Sequence, residues 1–585
     1  MAARFVIGID LGTTNSVVAY VPVDASAPIA LLPIPQLTAP GTVEARALLP
    51  SFCYLPAPGE LPAAARQLPW GSADAVVVGS FAQARGSEVP DRVVASAKSW
   101  LSHAGVDRRA PILPWGAPED VPQLTPVEAS ARYLAHIAAA WNAAFPADPI
   151  AEQDVLLTVP ASFDPAAREL TVQAAAEAGL PPVTLLEEPQ AALYAWIDAS
   201  ADAWREQLRP GESLLVCDVG GGTSDFSLIA ARDEAGQLGL ERIAVGDHIL
   251  LGGDNMDLAL AYRTRERLAA SGTALDAWQL RGLVASCRSA KERLLADPGE
   301  ESVAVSILGR GRKVVGGTLR ADIEQEDARG ALLDGFFPRC ASADRPLAPR
   351  RTGLQELGLP YAADAAITRH LAQFLARNAA AASPSAVLFN GGVMRAAALR
   401  QRLLQVLAEW YPERPLRALE GFDPEYAVAR GAAYYGLARR GRGVRIRGGT
   451  ARTFYIGVET AMPAVPGLRA PIKALCVVPY GLEEGSAVEL PAQEFGLVVG
   501  EPTEFRFLSS ATRGDDRPGT LLEVWGEDEL VELPPLQTAL DWAGHEGATI
   551  PVHLEADVNA LGVLELWCVS RDGQRWRLEF NVRSR

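Results

Sequence analysis

Lysine is nearly absent from this chain: of 54 basic residues among 585, only Lys98, Lys291, Lys313 and Lys473 are not arginine, so each lysine is worth inspecting. No Gly-Lys pair occurs, which excludes the GxxxxGK[ST] phosphate loop. The six cysteines are far apart with no CxxC, so neither a zinc ligand set nor a redox pair can be drawn, and a reduced, cytoplasmic chain is the expectation. No apolar run approaches the roughly 18 residues of a membrane span, and the apolar stretch around Phe5–Asp10 is too short for a signal peptide. Positive charge is also in deficit, 71 acidic against 54 basic residues for a net −17, which argues against a nucleic-acid or anionic-membrane partner for the protein as a whole. What is present is ordinary for a globular protein, with 49% apolar, 7% aromatic and 21% charged residues, so disorder as the main state is excluded. At roughly 150 residues per domain the length predicts about four units, or fewer if one is a large α/β body.

The most informative feature is an internal echo. Val6-Ile-Gly-Ile-Asp10-Leu-Gly12-Thr13-Thr14-Asn15-Ser-Val-Val returns, 208 positions later, as Leu214-Leu-Val-Cys-Asp218-Val-Gly220-Gly221-Gly222-Thr223-Ser-Asp225-Phe-Ser-Leu-Ile. Each copy reads as an apolar strand ending in Asp, a Gly/Thr turn and a second apolar strand: a hairpin with the carboxylate at its mouth. Two related lobes are implied.

Between and after the copies, α/β signals alternate. Thr125-Pro126-Val127-Glu128 is a capping box, and Val127, Ala131, Leu134, Ala138, Trp141 and Phe145 follow at helical steps up to Pro146. Val155–Val159 reads as a buried strand, Asp164-Pro165 opens a helix that Gly179 stops, and Glu188-Pro189 opens another. Ala386–Asn390 is a strand running into Gly391-Gly392 and a helix to about Trp410; Asp423-Pro424 is read as starting a helix that ends near Gly436. Residues 56–70 and 105–122 are Pro/Gly-rich and read as surface insertions, and residues 330–365 as an insertion in the second lobe. Leu437–Arg452 holds Arg439, Arg440, Arg442, Arg445, Arg447 and Arg452 among glycines, the pattern of a solvated linker, with contact to nucleic acid or an acidic partner as the alternative. Beyond it the period becomes two, in Val552–Val558 and Trp576–Val582, with Asp572-Gly573 as a turn: a small β domain with one wet face.

A Gly-rich hairpin lets backbone N–H groups approach phosphate oxygens, a Thr hydroxyl adds a donor, and a nearby Asp can hold magnesium through water. Two such turns from two lobes can clamp one nucleotide. Other readings stay open for single residues: a lone Lys98 beside Trp100 can be a solvated helix residue, Glu188 a carboxylate complementing a helix dipole, and Pro160 a strand terminator.

Five ordered motifs, Ile-Asp10-Leu-Gly-Thr-Thr-Asn-Ser, Thr158-Val-Pro160-Ala-Ser-Phe, Glu187-Glu188-Pro189-Gln-Ala-Ala-Leu, Asp218-Val-Gly-Gly-Gly-Thr-Ser-Asp225 and Leu251-Gly252-Gly253-Asp254, resemble the nucleotide-binding domain of the 70-kDa heat-shock chaperones of the DnaK type. The resemblance implies an α/β fold: a two-lobed, actin-like ATPase domain over residues 1–436 (lobes about 1–210 and 211–436), the linker 437–452, and an antiparallel β-sandwich over 453–585 without the family's helical lid. It implies ATP/ADP and Mg²⁺ as cofactors. Gly12, Thr13, Thr14, Asn15, Gly220, Gly221, Gly222 and Thr223 would bind phosphate, and Asp10 and Asp218 magnesium-bound waters. Lys98 would stabilise the γ-phosphate and attacking water, with Glu188 and Asp225 ordering that water and the metal. Gly252, Gly253, Lys291, Gly391, Gly392 and Arg395 would face the adenosine, and Pro160 and Arg168 would relay nucleotide state between domains. The implied partners are unfolded polypeptide or one dedicated client, a J-domain co-chaperone and a nucleotide-exchange factor. An ATP-switched adaptor for one protein, and a sugar-kinase or actin-like phosphotransferase, are the rival functions.

The linker departs from the family's short aliphatic run. Glu292 and Leu295 stand where many members contact the nucleoside, and Glu527-Asp528-Glu529 with Pro534-Pro535 do not align.

Overall fold

The computed structural model describes residues 3–24, 27–71, 75–234, 237–308, 318–348, 358–379, 383–414, 416–444, 446, 449–450, 452–460, 471–483, 485–488, 490, 494–500, 502–526, 529–539, 542, 547–559 and 563–580. Lys313, Arg445, Arg447, Glu527, Asp528 and the alternating stretch beyond Phe580 lie outside them. The chain divides into two compact units, one of Met1–His103, Ala110–Pro160 and Thr171–Arg445, the other of Ala104–Arg109, Ala161–Leu170 and Ile446–Arg585.

The first unit is built on two sheets of the same plan. Phe5–Leu11 pairs antiparallel with Asn15–Pro22 and parallel with Asp154–Val159, which pairs parallel with Thr184–Glu187. Ser213–Val219 pairs antiparallel with Ser224–Glu234 and parallel with Ala386–Asn390, which pairs parallel with Arg417–Leu419. In each sheet the strand ending near the repeated Asp is therefore central, hairpin on one side and parallel strands on the other. The central strands are buried on both faces, which explains why they read as continuous apolar runs rather than alternating ones.

Helices cover these sheets where the caps said they would begin. Pro126–Ala144 starts at a capping box formed by Thr125 and Glu128, and Trp141 packs edge-on against Phe5 and Tyr20, with ring centroids 5.4 and 5.3 Å away. Pro165–Glu177 and Glu188–Ser200 also start at their expected positions.

One helix differs. Asp423 caps a turn, accepting from the Glu425 amide at 3.0 Å, and the α-helix begins only at Ala427 and runs to Arg439. Gly436 does not stop it: a Cβ there would stand 2.2 Å from Val6 Cγ1, so this glycine lets the helix lie against the first sheet. The expected solvated linker accordingly starts later. Arg439 donates to Thr184 Oγ1 at 2.6 Å, Arg440 pairs with Asp154 at 2.7 Å and Arg442 donates to the Val23 carbonyl. Residues 105–122 are likewise not all surface, since Val106, Arg108 and Leu113 are buried.

The second unit carries two antiparallel sheets. One runs in the order Leu521–Leu522, Ile472–Val478, Thr453–Glu459, Pro502–Ser510, Val531–Ala539, Glu579–Phe580. In the other, Thr549–Val558 pairs with Leu564–Ser570, Ser486–Val488 and Phe495–Val498, and Leu564–Ser570 also pairs with Arg575–Arg577. Side chains of Thr549–Val558 alternate between buried and half-exposed, as the period of two predicts. Phe507 is the aromatic centre, stacked on Phe454 at 5.5 Å. In the same unit the fully buried Arg108 pairs with Asp164 at 3.3 Å, and Asp164 accepts from the Ala167 amide at 2.6 Å.

His136, in the helix over the first sheet, is buried and bonded through Nε2 to the Pro35 carbonyl at 2.9 Å; a neutral ring can donate there. Burial lowers its pKa from 6.5 to about 4. Between these values the unfolded chain takes up a proton that the folded chain refuses, so stability is full above the upper value and falls as pH drops toward the lower. The loss is on the order of 3 kcal/mol. Denaturant midpoints from pH 7 to pH 4 should fall less in His136→Gln than in the parent; parallel curves would refute the assignment.

Candidate functional site

The two hairpin turns meet. A Cβ on Gly221 would stand 1.8 Å from Thr14 Oγ1, and one on Gly222 would stand 2.8 Å from Thr13 Cγ2, so only glycine lets the second turn approach the threonines of the first this closely. Each turn is held by hydrogen bonds to its backbone. The Gly220 amide donates to the Thr223 carbonyl at 2.9 Å; Ser51 Oγ donates to the Gly12 carbonyl at 2.7 Å, and the Ser51 amide to the Thr14 carbonyl at 2.8 Å. The turns therefore place Thr13, Thr14, Gly221 and Gly222 together, with Asn15 opening the strand that follows.

Beside the turns, one ammonium faces a group of carboxylates. Lys98, in the short helix Ala97–Leu101, is buried and ion-paired with Glu188 at the head of the helix Glu188–Ser200. Asp10 ends the central strand of the first sheet and lies 3.3 Å from Thr158 Oγ1. Asp218 occupies the corresponding place in the second sheet, opposite Asp225 in the hairpin, and accepts from Asn390 Nδ2 at 2.8 Å.

Burial pushes the Asp10 carboxyl up to about 7, against the pull of Lys98 and with added repulsion from Glu188. Asp218 is pushed well above the usual carboxylate range by burial and then by Glu188, with Asp225 and Asp10 adding to the effect and the Asn390 amide opposing it. Glu188 is raised by burial, and by Asp225, against Lys98. Burial alone would favour neutral Lys98, but Glu188, Asp10 and Asp218 outweigh it and hold the ammonium charged.

Four acidic groups lie near one lysine, and burial and mutual repulsion disfavour the ionised forms of Asp10, Asp218 and Glu188, a cost that a cation would offset. The donors are all oxygen, and Asn390 Oδ1 and Ser99 Oγ are buried without a hydrogen-bond partner. That chemistry fits a hard divalent cation beside phosphate oxygens. Among the described residues no three His, Cys, Asp or Glu side chains stand together as direct metal ligands.

The residues read as adenosine-facing are more dispersed. The amides of Gly253 and Asp254 donate to the carbonyls of Gly220 at 3.0 Å and Gly221 at 2.7 Å, fixing the helix Gly253–Ala270 against the second turn, with Gly252 just before it. Lys291 Nζ donates to the Gly253 carbonyl at 2.9 Å and pairs with Asp257 at 2.7 Å, so its charge is already engaged. Gly391, at φ 88°, sits where a Cβ would meet the Val219 carbonyl at 2.3 Å, and Gly392 opens the turn that ends in Arg395. Arg395 pairs with Glu425 at 2.8 Å and, with Arg400, Gly421, Phe422, Asp423 and Pro424, lines a cleft of about 450 Å³. Asp423 and Pro424 thus line a cleft as well as capping a turn. Pro160 is buried at the end of its strand; Arg168 donates to the carbonyls of Phe163 and Ala161, each at 3.3 Å.

Several participants were invisible to sequence reasoning. Arg242, buried on Gln237–Val245, is ion-paired with Glu187, the neighbour of Glu188. The register of that strand shifts beside Arg242: Leu228 faces Ala244 but Ile229 faces Arg242, leaving Ile243 as a bulge that re-aims the side chain. Asp254 bonds Ser96 and Arg288, and Arg288 also pairs with Asp257. His248 lies 3.1 Å from Ser102 Oγ and 3.8 Å from Asp225. Of these only Asp254 carried a signal, its place after Gly252-Gly253; an isolated charge in a helix or strand otherwise reads as a solvated one.

The sequence is similar to those of known proteins. The family model described as Hsp70 protein matches residues 75–315. The chain is 29% identical over 445 residues to the chaperone protein HscA homolog of Bordetella pertussis, covering 74% of this chain and 57% of that protein. It is 30% identical over 441 residues to the HscA homolog of Acidithiobacillus ferrooxidans, covering 74% and 58%. To chaperone protein HscA of an Enterobacter species it is 32% identical over 276 residues, covering 45% and 38%. The chain thus spans between 38% and 58% of the length of these curated relatives.

Arg242→Gln should break the buried Arg242–Glu187 ion pair and destabilise the chain by about 3–5 kcal/mol, whereas Arg242→Met with Glu187→Met should restore most of that. Urea unfolding midpoints check both; an unchanged midpoint in the single variant would show that the pair contributes nothing.

Proposed function

The chain is a divergent member of the Hsp70 family, and from that premise we propose that it is an ATP-dependent molecular chaperone. Residues 1–436 bind and hydrolyse Mg-ATP between two lobes, and residues 453–585 bind unfolded polypeptide or one dedicated client. The observation that carries this reading is the buried Lys98–Glu188 pair, set among Asp10, Asp218 and Asp225 beside two touching Gly/Thr turns. Such a site has a charged donor for a phosphoryl oxygen, carboxylates to orient water, and backbone groups free of bulky side chains.

In the proposed reaction a water attacks the γ-phosphorus in line, and the bond to the β–γ bridging oxygen breaks, releasing ADP and phosphate. No covalent link to the protein forms. Thr13, Thr14 and the glycine turn hold the phosphates, Lys98 neutralises charge on the transferred group, and Glu188 and Asp225 orient the attacking water. Positioning and charge neutralisation suffice for this chemistry. Asp10 and Asp218 would hold magnesium through water, and the metal would supply neutralisation of phosphate charge. Lys291 and Arg395 face the nucleoside once their present partners release them.

For the β unit, the reading rests on family membership and on its antiparallel sheets, whose edge strands suit an extended segment. A J-domain co-chaperone and a nucleotide-exchange factor are the proposed partners, and the cytoplasm the proposed location; among the described residues no helix is long and apolar enough to cross a membrane.

Lys98→Ala should cut single-turnover hydrolysis roughly a hundredfold while a fluorescent ATP analogue still binds; normal turnover in that variant would sink the mechanism. Unfolded peptide should stimulate steady-state ATP turnover of the parent chain. Indifference to generic peptide with a response to one co-purified protein would favour the adaptor reading, and phosphate transferred to a small molecule the kinase reading.

A further inference from the structure

The helix that carries Lys98 spans only Ala97–Leu101. A helix of five residues cannot hold its own register, because so few intrahelical bonds do not offset the cost of nucleation. Something outside it has to place the ammonium.

Ser96, immediately before the helix, adopts φ 55° and ψ 30°, in the left-handed region. Residues other than glycine stay there only when their surroundings hold them. The Ser96 side chain makes no capping bond to its own helix. Instead Oγ donates to Asp254 Oδ2 at 2.7 Å. Asp254 is itself fixed at two further points: its amide donates to the Gly221 carbonyl at 2.7 Å and its other oxygen accepts from Arg288 Nη2 at 2.6 Å, while Arg288 is held by Asp257 at 3.0 Å and lies over the Phe52 ring at 5.1 Å. Asp257 in turn pairs with Lys291.

We propose that Ser96 is a positioning residue for Lys98, with Asp254 as the hub that ties the lysine helix to the second glycine turn and, through Arg288 and Asp257, to Lys291. The hydroxyl holds the backbone in its left-handed turn, and that turn aims Lys98 at Glu188. Movement of Lys291 toward a nucleoside therefore alters the network that sets the catalytic ammonium, so the two ends of the site act together. This inference rests on the proposed ATPase reading and concerns how its lysine is placed.

Three variants test it in single-turnover hydrolysis of Mg-ATP, alongside nucleotide affinity and a melting curve. Ser96→Gly adopts the left-handed conformation freely but loses the hydroxyl; it should hydrolyse about tenfold or more slowly at unchanged nucleotide affinity and nearly unchanged melting temperature. Ser96→Asn tolerates the same conformation and returns an N–H donor toward Asp254, so it should recover most of the rate. Lys98→Ala is the control. If Lys98→Ala is inactive while Ser96→Gly keeps the parental rate, or if Ser96→Asn is no faster than Ser96→Gly, the positioning role is overturned and the ATPase reading stands. If the parent chain does not hydrolyse ATP, or Lys98→Ala matches it, the ATPase reading fails and the positioning role falls with it.

Discussion

One buried ammonium stands against a group of carboxylates, and much of the first unit is arranged to keep it there. Lys98 pairs with Glu188 while Asp10, Asp218 and Asp225 stand close enough to shift the titration of the group. A cluster of this kind is costly in a folded chain, since each carboxylate gives up hydration and repels the others. It persists because the surrounding structure fixes each member separately: two carboxylates at the ends of central strands, one at a helix start, one across a hairpin. Carboxylates whose ionisation is disfavoured in an all-oxygen environment suit a cation, which would favour their charged forms.

The repeated sheet plan is the second constraint. Placing Asp10 and Asp218 at equivalent points of two sheets makes their turns equivalent too, and small residues let the parts close. Gly221 admits Thr14, and Gly436 admits Val6 beneath the helix Ala427–Arg439. Neither position could carry even a methyl group without displacing what it touches. Glycine near a helix end is most often a terminator, and here close packing overrides that role.

Much of the fold was legible because it is local. The capping box at Thr125, the strand Ala386–Asn390 and the period of two in Val552–Val558 are set by neighbouring residues, and all appear where they were expected. The departures have two origins. The helix expected from Pro424 starts three residues later because Asp423 caps a local turn first. The linker arginines Arg439, Arg440 and Arg442 have partners, and Arg108 lies buried in a stretch that reads as surface. For these arginines the partner is far away in sequence, and no local pattern encodes it.

The sequence by itself determined the two hairpins, the carboxylate at each mouth, the rarity that singled out Lys98 and the change of period that marks the β unit, since each of these is carried by composition and short-range spacing. Tertiary structure alone decided that the two turns touch, that Lys98 meets Glu188 rather than solvent, that Arg242 reaches Glu187 through a bulge, and that Ser96 is held by Asp254 158 positions away. Those contacts join residues whose only relation is the packing of separate strands and helices, and the energy of a buried charge is defined only once its neighbours in space are known.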